Sequence, residues 1–515
     1  MKVMKKDIDE LLRRKENAKL GGGEEKIKRL HDVGFYTARE RIEKLVDKAT
    51  FLEFGMLAHS DQVGSEDKSA GDGIITGLAK VDGRPAVVQA IDKTVFAGTT
   101  GMVHARKTKS IHAYALKRGL PMFNLTEGGG LRMPDGMGSD GVSQSLFPEE
   151  LLLHRRQVPM MTAVLGDSFG DPAWVAVTSD FVSQRKGTTM AVAGPRILEM
   201  ATGEKVSDEE LGGWKLHANT TGQADHFSET EEESIEELKR FFSYMPLNAD
   251  EEPPFKQSND DPYRRLDEVI DLVPSRRAQV YDMKKVIQSI VDDGDIFEIK
   301  SIYGPALLTV LARIDGRVVG IIANQPLKYA GSAGPHEADK ATEFICLCDS
   351  YHIPMIFLHD TPGFRVSRDA EKYKMPTKIL LWNQALAQSS VPKISVVIRK
   401  SIGAAFANMC GPTMGADFVV AWPGAEINFT GPEVGVNVVY GRKLQQSEDP
   451  EKERLELLKT WEFDSSPYKA AAKYLLEDII DPRDTRKFLA QTLEYACVKN
   501  GPKSKRQLAN WPTQF

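Results

Sequence analysis

Cysteine is scarce, with four residues in a chain of 515. So few draw no disulfide framework, and Cys346-x-Cys348 has no second pair to complete a zinc site. No run of about 18 apolar residues occurs, which speaks against a membrane span. Neither charge dominates: 67 basic and 73 acidic residues are mixed throughout and leave a net charge of −6, without the basic footprint of a nucleic-acid binder. The first twenty residues carry acids among the bases and read as neither a signal peptide nor a transit peptide. These absences predict a reduced, soluble, cytoplasmic protein that engages neither nucleic acid nor membrane.

Glycine is plentiful, with 42 residues, and 27 prolines punctuate the chain. At roughly 100–200 residues per domain, this length makes two or more domains. The chain also repeats itself. GLAKVDGR (Gly77 to Arg84) returns as VLARIDGR (Val310 to Arg317), 233 positions on. The same offset relates Ala97-Gly98 to Ala330-Gly331, Gly130 to Gly363, and Gly170 to Gly403. Farther along it becomes 237, from Asp180-Phe181-Val182 to Asp417-Phe418-Val419. An offset held over so long a stretch marks an internal duplication.

The acidic, proline-bearing stretch Asn248 to Arg265 lacks periodicity and reads as a linker, so domains are expected at 1–255 and 256–515. Short apolar runs such as PAVVQAID, PMFNLT and PMMTAVLG alternate with helical patterns such as HARKTKSIHAYALKRG. That alternation predicts an α/β fold with strands buried on both faces. Residues 1–47, rich in Lys, Glu and Arg and broken at Gly21-Gly22-Gly23, predict a solvated helical extension. SETEEESIEELKR (Ser228 to Arg240) predicts a solvated amphipathic helix.

Two glycine-bearing turns follow apolar strands in each copy. The first copy has NLTEGGGLR (Asn124 to Arg132) and AVLGDSFGDPAW (Ala163 to Trp174); the second has FLHDTPGFR (Phe357 to Arg365) and VVIRKSIGAAFANM (Val396 to Met409). Glycine there lets the backbone approach a ligand, and a helix starting after it points free N–H groups at negative charge. Facing turns of this kind form an oxyanion hole for an enolate or a tetrahedral intermediate. A single turn is an ordinary strand-to-helix connection, but four at duplicated positions point to a site.

TARERIEKLVD (Thr37 to Asp47), TVFAGTTGMVHARK (Thr94 to Lys107), TPGF (Thr361 to Phe364) and VPKISVVIRKSIGAAF (Val391 to Phe406) resemble the carboxyltransferase β subunits of biotin-dependent acyl-CoA carboxylases, such as the propionyl-CoA carboxylase type. The resemblance spans nearly the whole chain. It implies two duplicated crotonase-like ββα-spiral domains, an active site at a dimer interface, and a homohexamer built as a trimer of dimers. It also implies that a carboxyl group brought on biotin passes to the α-carbon of an acyl-CoA, or to its vinylogous equivalent, through an enolate held by backbone donors. Carried over by motif, Gly403 and Ala404 hold the biotin carbonyl, while Gly170 and Asp171 hold the acyl-CoA carbonyl. Gly129 and Gly130 contact the thioester and CoA, with Gly363 as their counterpart. No metal is implied. The chain has no Met-Lys-Met biotinylation site and no P-loop, so biotin and its carboxylation are expected on a biotin carboxylase and biotin carboxyl carrier partner.

Three departures from that pattern stand out. Gly170-Asp171 replaces the usual Gly-Gly, and Asp171 followed by Pro172 predicts a capping aspartate at the start of a helix. Ala407 stands where the family carries an acidic or bulky residue beside the acyl pocket, and predicts room for a longer or branched acyl group. The segment Met133 to Leu152 replaces a small-residue stretch. Three other readings compete. GDSFG (Gly166 to Gly170) matches a serine hydrolase elbow, with His217, His226, His352 or His359 as base. Against this, the turn has a copy, KSIGAAF, in which Ser401 is displaced from the equivalent site. A non-catalytic homologue, with Asp171 marking a lost oxyanion pair, is a second alternative. A third keeps the chemistry but places it in a decarboxylase or transcarboxylase.

Overall fold

Apolar runs become strands in the order the sequence predicts. The computed structural model describes residues 2–144, 149–497 and 504–511. It divides into two units, one ending at Glu251 and the other starting at Glu252. In the first unit the strands are β1 (Leu52–Phe54), β2 (Ile74–Val81), β3 (Arg84–Ile91), β4 (Met122–Gly128), β5 (Met160–Phe169), β6 (Phe181–Arg185), β7 (Met190–Ala191) and β8 (His226–Ser228). They form one sheet in the order β1-β2-β3-β4-β5-β6-β8, with β7 paired to β5. The second unit has β9 (Ile296–Ile299), β10 (Leu307–Ile314), β11 (Arg317–Asn324), β12 (Met355–Thr361), β13 (Lys393–Ile402), β14 (Phe418–Ala421), β15 (Glu426–Asn428) and β16 (Asp478–Ile479). Its sheet runs β9-β10-β11-β12-β13-β14-β16, with β15 on β13.

The duplication is visible at single-residue register. Ile74 pairs with Ile91, and Leu307 with Asn324. Gly128 pairs with Ser168, and Thr361 with Ser401. Ser168 also pairs with Met190, and Ser401 with Ile427. Ser401 therefore sits on the same rung as Ser168; the displacement expected from sequence is corrected, because the 233 offset holds through both strands. In each sheet the first three strands are antiparallel and the rest parallel. Central strands β4, β12 and β13 are buried along their whole length, as expected where helices cover both faces of a parallel sheet.

In the first unit, helix Met102–Arg118 turns Ile111, Ala115 and Leu116 onto Val87 of β3, Met122 of β4 and Met160 of β5. The acidic run becomes helix Glu231–Phe242, started by a Thr230–Glu233 capping box. Its expectation as a solvated helix is corrected. Phe241 stacks on Phe181 at 4.8 Å, Phe242 meets Phe123 edge-on at 5.2 Å, and Glu231 goes inside. There Arg41, fully buried, bonds Glu127 at 2.5 Å and Glu231 at 2.6 Å. A second capping box, Thr37–Glu40, starts the helix Ala38–Leu45 that carries Arg41. The glycine break after helix Lys2–Lys19 is a docking point: the Gly22 amide donates to Thr94 Oγ1 at 2.9 Å, and Lys26 Nζ donates to the Thr94 carbonyl at 2.8 Å. Among the described residues no helix is long and apolar enough to cross a membrane.

Candidate functional site

The second glycine turn of each copy has one geometry. β5 ends at Phe169, and Gly170 caps helix Asp171–Thr178 with φ 66°; β13 ends at Ile402, and Gly403 comes next with φ 67°. Only glycine adopts that conformation freely. The Gly170 amide donates to the Ala191 carbonyl of β7 at 3.1 Å, and the Gly403 amide donates to the Asn428 carbonyl of β15 at 2.8 Å. These two amides are therefore spent on the sheet. The copies diverge at the next residue. The Ala404 and Ala405 amides have no carbonyl acceptor among the described residues and open the short helix Ala405–Asn408. At the equivalent place in the first unit stands Asp171.

Asp171 does not cap the helix with its side chain. Gly170 takes the cap position, which makes Asp171 the first helical residue and Pro172 the second. Its Oδ2 accepts from Thr100 Oγ1 at 2.7 Å, and its Oδ1 is buried without a partner among the described residues. Burial pushes the carboxyl up to about 6, against the smaller opposing pull of the Thr100 hydroxyl and of Asp171's own amide.

The first glycine turn of this unit lies directly alongside. A Cβ placed on Gly170 would lie 3.7 Å from Gly130 Cα. The Gly130 carbonyl accepts from the Thr100 amide at 2.8 Å, while the Gly129 and Gly130 amides have no acceptor among the described residues. Together the two turns border a cavity of about 450 Å³, walled on another side by Met102, Thr108 and His112 of one helix and by Trp174 and Ile197. His112 is pushed down to about 4 by burial, so it is neutral at pH 7. Thr108 Oγ1 and His112 Nε2, like Asp171 Oδ1, lack partners among the described residues. Thr100, Thr108 and His112 escaped the sequence reading. The last two lie four apart on one face of HARKTKSIHAYALKRG.

Gly363, Ala407 and the segment after the first glycine turn also have defined places. Gly363 carries a φ of 122° and donates its amide to Thr361 Oγ1 at 3.2 Å. Ala407 is half-buried in the second unit; its counterpart in the first is Trp174, which lines the cavity. Of the segment Met133 to Leu152, Met133, Glu149, Glu150 and Leu151 border the cavity, and residues 145–148 lie outside those described. Among the described residues no three His, Cys, Asp or Glu side chains gather as a metal site.

A carboxyl transferase domain model matches residues 29–509, through both copies of the repeat. The chain belongs to the carboxyl transferase family. The carboxyltransferase subunit of a propionyl-CoA carboxylase from Haloferax mediterranei is 35% identical over 99% of this chain and 100% of its own length. The α subunit of a methylmalonyl-CoA decarboxylase from Veillonella parvula is 31% identical over 99% and 100%. Among solved structures, the hexameric transcarboxylase 12S core with methylmalonyl-coenzyme A and methylmalonic acid bound superposes with a TM-score of 0.89 at 33% identity, covering 95% of this chain and 94% of that one. The two duplicated α/β domains thus have the fold of carboxyl transferases.

In this carboxyl transferase the serine hydrolase reading fails on geometry. Ser168 lies inside β5, fully buried, with Thr126 Oγ1 at 3.5 Å and the Gly166 carbonyl at 3.3 Å as its hydroxyl's partners. The four candidate bases are engaged elsewhere. His217 bonds the Met190 carbonyl, His226 pairs with Glu237, and His352 accepts from the Ser504 amide. His359 meets Ser401 at 2.9 Å, the rung equivalent to Thr126 and Ser168.

Proposed function

We propose that this carboxyl transferase moves a carboxyl group between biotin, borne on a separate polypeptide, and the α-carbon of an acyl-CoA. The observation that carries the reading is a free-amide turn in each copy, Gly129-Gly130 on the first glycine turn of the first and Ala404-Ala405 on the second glycine turn of the second. Each offers preorganised N–H donors that match the negative oxygen of an enolate or of a ureido anion. Their donor chemistry fits both groups, since a carbonyl oxygen needs backbone N–H donors and no side chain. Biotin supplies a labile carboxyl group; everything else falls to this chain.

The thioester carbonyl lies against the Gly129 and Gly130 amides, with the acyl group in the cavity between Asp171, His112 and Trp174. As the α-proton leaves, charge grows on the carbonyl oxygen, and those fixed amides bind it more tightly than they bound the ground state. The apolar walls exclude water and so strengthen each donor. In the second unit the Ala404 amide serves the biotin carbonyl, with the Gly403 turn holding it in place. Gly363 lies on the turn equivalent to Gly129-Gly130, and the small Ala407 leaves room for a longer or branched acyl group.

A homohexamer acting in the cytoplasm with biotin carboxylase and biotin carboxyl carrier subunits completes the proposal. Direction belongs to those partners; the similarity to a decarboxylase subunit suits either sense of transfer. The test is a panel of acetyl-, propionyl-, butyryl- and methylcrotonyl-CoA assayed with a reconstituted biotin partner. Turnover of at least one thioester is expected, and silence across the panel rejects the reading in favour of a non-catalytic homologue.

A further inference from the structure

In the second unit the helix Met375–Gln388 closes the space beside the glycine turns. It buries Trp382 fully, with the indole edge-on to Phe364 at 6.2 Å between ring centres. The helix packs on helix Pro335–Ser350, and its Ile379 carbonyl accepts from Asn408 Nδ2 at 3.0 Å. The 233 offset carries each of these walls into the first unit: Phe364 becomes Leu131, Asn408 becomes Val175, and helix Pro335–Ser350 becomes Met102–Arg118. All three border the cavity of about 450 Å³. Trp382 becomes Glu149, an exposed residue of the five-residue helix Glu149–Leu153 that also borders it. Among the described residues the first unit keeps the walls and lacks the indole that fills the space between them.

That difference has a size. An apolar cavity of roughly 150 Å³ stays dry and takes up benzene, so this space holds a much larger apolar group. Leaving it empty forfeits van der Waals contact along every wall. Those walls are largely hydrocarbon, from Met102, Ala105, Leu131, Trp174, Val175 and Ile197. Water gains little on such a surface, whereas each CH2 that moves onto it from solvent strengthens binding by about threefold.

Building on the reading of this cavity as the acyl-CoA site, we propose that the substrate is a thioester with an apolar acyl chain of about six to twelve carbons, its tail in the place that Trp382 fills in the second unit. The thioester stays at Gly129 and Gly130, which border the same cavity, and the tail lies against helix Met102–Arg118 and Trp174. Ala105 and Trp174 set the length accepted, since the small side chain leaves the space open and the bulky one limits it. A propionyl group leaves most of that space unfilled, so the cavity itself discriminates by chain length.

The experiment is calorimetric titration of the full-length protein with propionyl-, hexanoyl- and decanoyl-CoA, with neither biotin nor carrier present. Hexanoyl-CoA is expected to bind about 10–30-fold more tightly than propionyl-CoA. Ala105→Phe, which puts a ring into the space, should cut that preference to about threefold or less. Trp174→Ala, which enlarges the space, should raise the preference for decanoyl- over hexanoyl-CoA by about threefold or more. The Trp174 variant carries the test if the Ala105 variant does not fold. Equal Kd values for propionyl- and hexanoyl-CoA in the wild type overturn the tail pocket, as does a wild-type preference kept in whichever variants fold. The space then belongs to CoA itself or to a neighbouring copy, and turnover of propionyl-CoA with a reconstituted biotin partner leaves the proposed carboxyl transfer standing. Failure to bind any acyl-CoA overturns the reading of the cavity itself.

Discussion

Asp171 and Ala404 occupy the same position in two copies of one turn, each directly after a left-handed glycine whose amide is tied to a neighbouring strand. In the second copy the position presents a bare N–H; in the first it presents a carboxyl group as well. The repeat has kept its backbone and diverged in the side chain that follows the glycine.

The donor role of Ala404 can be isolated by removing one hydrogen. Its φ of −61° suits proline, and it stands before the helix Ala405–Asn408, so Ala404→Pro deletes the amide without breaking an intrahelical bond. A loss of about 10²–10³ in kcat is expected with an unchanged melting temperature. Unaltered kcat in a folded Ala404→Pro protein takes this amide out of the mechanism.

Asp171 should leave a signature in stability. Its folded pKa, about 6, lies above the ordinary 3.8, so the folded state holds this proton more tightly than the unfolded one. The stability gained is fully present below about pH 4 and is lost as pH rises through 6, at a cost on the order of 1–3 kcal/mol near pH 7.5. Asp171→Asn, which does not titrate, should match wild type near pH 4 and exceed it at pH 7.5 in urea denaturation. A gap that stays constant with pH contradicts the burial of this charge.

Arg41 neutralises two buried glutamates, Glu127 and Glu231. Arg41→Met strands both, and a loss of about 3–5 kcal/mol is expected in denaturant unfolding. Adding Glu127→Gln and Glu231→Gln should restore part of it, since the penalty is the unpaired charge rather than the missing side chain. No recovery in the triple variant points instead to lost packing.

Ser168 offers the contrast. Ser168→Ala should keep carboxyl transfer within about threefold of wild type, since its hydroxyl makes only long contacts to groups that do not react. A fluorophosphonate probe should leave the native serine unlabelled; stoichiometric labelling there revives the hydrolase.

Much of this was legible in order along the chain. The 233 offset located both copies of the sheet because paired strands conserve register: a one-residue slip turns every side chain to the wrong face. GGG at 128–130, Gly170 and Gly403 announced turns because strand-to-helix connections of this hand need glycine. Other features were not legible. Glu231 looked solvated because a charge run says nothing about which member meets an arginine 190 residues away. Asp171 looked like a cap because local sequence favours Asp before Pro, whereas Gly170 already held that place and Thr100 supplied the competing hydrogen bond.

The sequence by itself determined the duplicated α/β architecture, the family, and the glycines that open the turns, since all three rest on periodicity and local backbone preference. Tertiary structure alone decided which amides are free. The Gly170 and Gly403 donors are spent on β7 and β15, strands that lie some twenty residues downstream and reach them only through the sheet. It also decided that Thr100, His112 and Asp171 share one cavity, because burial and partnership depend on packing between segments that nothing in their own neighbourhoods records.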